Sequence, residues 1–136
     1  MGTWDIGHFD NDTAADFGGR IDDTPADQRA DLLADLLRHV TAAEDFLDSD
    51  DGAQAIAAAA LIAAQCPGGE PVTTAYGPKK ALPELPVSLR PLAVGALDRV
   101  LAEDSELVEL WGETSDIGPW RKGVESLRQT LSEASA

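Results

Sequence analysis

The sequence predicts an all-α fold: a compact single-domain bundle of about five to six helices, with an N-terminal arm and one long Pro/Gly-rich loop. Three observations carry this. Apolar residues recur at helical spacing in several segments, capping and breaking residues flank those segments, and no two alternating runs could pair as strands. The 136 residues suit one domain, 1–136. A chain of that length buries roughly two-thirds of its unfolded surface, enough for a core without disulfides.

Residues 1–23 are expected to form an arm and a short helix. Trp4, Ile6 and Phe9 are too apolar to be left in water, so the arm should dock on the core. Asp10 is placed to cap a short helix over Asp12–Gly19, with Gly18-Gly19 ending it. Thr24-Pro25-Ala26-Asp27 has the composition of a helix start, with Thr24 as cap and Pro25 in the first helical position. Leu33, Leu36, Leu37, Val40, Ala43 and Leu47 then fall on one stripe. Asp27, Asp31 and Asp35 form a ladder on another face. Each like-charged pair costs about 0.2–0.5 kcal/mol, whereas each buried leucine returns about 1.5–3 kcal/mol, so packing decides and the helix forms.

Asp48-Ser49-Asp50-Asp51-Gly52 should end that helix and cap the next. It is not a calcium loop: its glycine comes one position early and Ala59 stands where the bidentate glutamate belongs. The helix over about 51–65 is alanine-rich and apolar nearly all round, which marks it as the central helix; Ala53, Ala57, Ala60 and Ala64 permit close neighbours. Residues 67–86 hold five prolines in 20 positions and form the long loop, with the basic pair Lys79-Lys80. A helix over Leu89–Ala102 follows, with Ser88 as cap and Pro91 confined to the first turn. A short helix opens at Ser105 and ends near Gly112, and Pro119 starts a last helix that turns Trp120, Val124, Leu127 and Leu131 inward. Trp4, Trp111 and Trp120 are expected to pack in the core or against one another.

The formal net charge is -15, and it is uneven. Residues 1–51 hold 14 acidic and 3 basic side chains, a net of -11, against -4 for the remainder. Such a field opposes nucleic acid and anionic membranes and attracts cations or basic partners. The N-terminus lacks the basic start and apolar stretch of a secretion signal. The longest uncharged apolar run, Ala53–Cys66, is too short to span a bilayer. With Cys66 as the single cysteine, these features point to a cytoplasmic protein.

Several stretches are similar to a known family. Trp4, Phe9-Asp10-Asn11-Asp12 and Ala14-Ala15-Asp16 resemble the opening of the bacterial family catalogued as domain of unknown function 4259. So do the alanine-rich central helix, Ser105-Glu106-Leu107 through Leu110-Trp111, and Trp120 ahead of a final helix. Asp5 and His8 depart from the family's usual glycine and small residue or proline. The resemblance implies a fold and boundaries but no activity.

The sharpest candidate site lies in that opening. In an extended segment His8, Asp10 and Asp12 point the same way, and with Asp16 they could hold a divalent cation: magnesium, calcium or manganese on oxygens alone, zinc or manganese if His8 joins. The competing structural role has Asp10 capping, Asn11 or Asp12 supporting the turn, and His8 in solvent. No cofactor is otherwise predicted. Trp4, Phe9, Asp10, Asn11 and Asp12 are the candidate binding residues. No nucleophile elbow, phosphate loop, dinucleotide fingerprint or zinc motif is present, and His39 falls on a helix surface. The leading expectation is therefore a non-enzymatic module that binds or regulates a protein partner with a basic surface. An immunity-type protein that neutralises a basic toxin and a metal-dependent hydrolase using the N-terminal aspartates are the alternatives.

Overall fold

Six α-helices pack around one of their number in the computed structural model, which describes residues 12–66 and 85–135. They are α1 (Asp12–Asp23), α2 (Arg29–Thr41), α3 (Ser49–Ala63), α4 (Leu89–Val100), α5 (Glu106–Gly112) and α6 (Ile117–Ser135). Among the described residues there is no strand, only an isolated parallel bridge between Leu47 and Ser105. The all-α bundle is thus as the sequence predicts. The arm over residues 1–11 and most of the 67–86 loop lie outside the described residues.

α3 is the central helix, in contact with all five others. Gly52, Ala53 and every residue from Ala55 to Ala63 are buried, so mostly methyl groups, with Ile56, Leu61 and Ile62, meet its neighbours. Ala64, expected to share that role, is only half-buried at the helix end. The cap of α3 falls within the predicted stretch 48–52, and the helix starts at Ser49, two residues ahead of the expected start near 51: Asp48 is the N-cap, its Oδ1 accepting from the Asp51 N–H at 2.8 Å. Gly52 is not a breaker. It sits within α3, where a Cβ would stand 2.8 Å from Leu107 Cδ1, so its smallness lets α5 approach.

Three expected boundaries move, each for a physical reason. α1 does not stop at Gly18-Gly19 but runs to Asp23. Phe17 and Ile21 bury in the core on either side of the glycines, and α1's terminal carbonyls are satisfied by Arg29. That buried side chain donates from Nε to the Ile21 and Thr24 carbonyls at 3.0 and 2.9 Å. Thr24 faces backward rather than forward, its hydroxyl donating to the Arg20 carbonyl at 2.7 Å. Without it as a cap, Ala26–Gln28 form a 3-10 turn and α2 starts only at Arg29. α2 ends at Thr41, short of the full predicted stripe. Its leucines and Val40 hold to the pattern, but Leu47 reaches the core from an extended link whose backbone pairs elsewhere.

That link is pinned to the α4–α5 junction. Leu47 N–H donates to the Asp104 carbonyl at 2.9 Å, and Glu106 N–H to the Leu47 carbonyl at 2.8 Å. Arg99, at the end of α4, donates to the carbonyls of Ala43 (2.9 Å) and Asp45 and to Asp104 Oδ1 (3.0 Å). The Glu106 carboxylate accepts from the Ser49 N–H at 2.6 Å, adding a second cap to α3.

α4, α5 and α6 follow the sequence closely. Ser88 stands at the N-cap of α4, although its side chain makes no capping bond. Pro91 lies in the first turn of α4 and Pro119 in that of α6. Trp120, Val124, Leu127 and Leu131 are all buried. Trp111 and Trp120 stack with centroids 6.0 Å apart and planes at 12°, joining α5 to α6. Arg128 and Asp98 bridge α6 and α4 at 2.5 Å. The hydrogen bond to Asp98, and then its charge, raises the pKa of the Arg128 guanidinium.

Candidate functional site

α1 presents Thr13, Asp16, Phe17 and Arg20 along one side, at the three- and four-residue spacing that stacks side chains on a helix face. α3 answers with Asp50 and Gln54, one turn apart. Between them lies an open cleft of about 210 Å³ lined by these six residues. Phe17 is its buried apolar wall. Arg20 reaches across, with its guanidinium 5.9 Å from the Phe17 ring centroid and Nη1 donating to Gln54 Oε1 at 3.4 Å. The Thr13 hydroxyl donates to Asp50 Oδ1 at 3.1 Å. Asp16 is exposed.

The cleft therefore offers two carboxylates, an amide oxygen and one guanidinium that is already engaged. Such a set accepts hydrogen bonds from a cationic group. Its volume falls below the roughly 300–1,000 Å³ of ordinary small-molecule sites.

Of the expected metal candidates, the structure places only Asp16, on α1 in this cleft. His8 and Asp10 lie outside the described residues, as does the side chain of Asp12. The same holds for the binding candidates Trp4, Phe9 and Asn11. Among the described residues, no three His, Cys, Asp or Glu side chains gather closely enough to hold a metal ion. Asp50, Thr13, Arg20 and Gln54 were not marked by sequence as one group. The signal present was the α1 stripe, but nothing local says that α3 faces it.

A second feature is the outer face of α2. Asp27, Asp31 and Asp35 are exposed, but only Asp31 and Asp35 lie on α2; Asp27 sits in the 3-10 turn before it, because α2 starts at Arg29. Asp35 approaches Arg38 at 3.8 Å, while Asp27 and Asp31 have no ion pair among the described residues. His39 is largely exposed and meets Asp51 at 3.1 Å, joining the last turn of α2 to the first of α3. Three arginines elsewhere donate to backbone carbonyls. Arg29 and Arg99 do so as described, and Arg90 donates to the Ala134 carbonyl at the end of α6 at 3.1 Å.

The chain belongs to the family described as domain of unknown function 4259, whose model matches residues 2–123. No curated protein and no solved structure matches it. Among the described residues, no helix is long and apolar enough to cross a membrane.

Proposed function

We propose that this member of the domain of unknown function 4259 family is a non-enzymatic binding or regulatory module for a protein partner with a basic surface. One observation carries the reading: Asp31 and Asp35 of α2 and Asp27 of the turn before it are exposed, and two of the three carboxylates are left without a countercharge among the described residues. The like-charged pair Asp31 and Asp35, four residues apart on α2, weakens the helix slightly. The three carboxylates also create a directional field that speeds encounter with a cationic surface and orients it. A cytoplasmic setting accords with the lone cysteine, Cys66, which is buried and free.

The test is affinity capture with the tagged chain, compared with a triple variant carrying Asp27→Lys, Asp31→Lys and Asp35→Lys. A defined partner with a basic surface should be retained by the parent, released by salt and lost from the variant. Equal retention of that partner by a variant with an unchanged circular-dichroism spectrum would remove the α2 face from the reading.

A further inference from the structure

We draw no further inference here: the strongest candidate, the cleft between α1 and α3 where Asp16 and Asp50 stand beside Arg20 and Gln54, belongs to the site already described, and no second observation in the structure points to what would occupy it.

Discussion

The N-terminal half of α3 meets its neighbours in two contrasting ways. Toward α4 and α5 the polar contacts are partly buried and run to backbone, Arg99 on the carbonyls of the α2–α3 link and Glu106 on the Ser49 N–H, beside the buried contact of Leu107 with Gly52. Toward α1 the polar contacts are exposed and run between side chains: Thr13 to Asp50, Arg20 to Gln54. The first kind replaces water with fixed partners, and losing one leaves a desolvated group unsatisfied. The second competes with water at every moment and contributes little. The junction is thus a structural clamp, while the cleft is surface whose polar groups can exchange water for a ligand at small cost to the fold.

Substitutions can break or sharpen this contrast. Arg99→Ala should have the largest effect, about 3 kcal/mol of lost stability, because it removes a side chain only 11% exposed and strips the donors from the backbone carbonyls of Ala43 and Asp45; urea unfolding measures it, and a loss under 1 kcal/mol would dissolve the clamp. Gly52→Ala should destabilise by about 1–2 kcal/mol, as displacement of the buried Leu107 outweighs the gain in helix propensity. Its counterpart Gly19→Ala, where nothing lies within 4 Å of the added methyl, should raise stability by about 0.5–1 kcal/mol. A thermal melt of the pair should show shifts of opposite sign. Ser105→Ala should also stabilise, by up to about 1 kcal/mol, since the fully buried Ser105 hydroxyl has no hydrogen-bond partner among the described residues. Unfolding midpoints check this, and a marked loss would reveal a bonded hydroxyl. Thr13→Val, on the cleft side, should change stability least, by less than about 0.5 kcal/mol in the same measurement.

Helix number, the central position of the alanine-rich segment and the inward face of α6 were legible because each depends on local periodicity. A cap within residues 48–52 was legible from residue type, though not that Asp48 itself supplies it. Thr24 was misleading because a threonine hydroxyl can serve the helix behind it as well as the one ahead, and the choice fell with Arg29, whose side chain already occupied that corner. The end of α2 was hidden because Leu47 keeps its place in the apolar stripe while its backbone bonds to Asp104 and Glu106, more than 50 positions away. The cleft was hidden for a related reason. Asp16 could be suspected from sequence, but Asp50 becomes its neighbour only through the packing of α1 on α3, which no spacing encodes.

A cylinder of methyl groups is smooth, and smoothness has a consequence for α3. Long side chains index a helix against its neighbours like teeth; here Ile56, Leu61 and Ile62 are the only large ones among the buried residues of α3. Apart from these three, resistance to axial sliding comes from the two ends. At one end the Asp48 and Glu106 caps and the Gly52–Leu107 notch act as a stop. At the other, Gln65 accepts from the Leu85 N–H at 2.8 Å and Cys66 is buried. The bundle keeps its alignment the way a plain shaft does, by its end bearings.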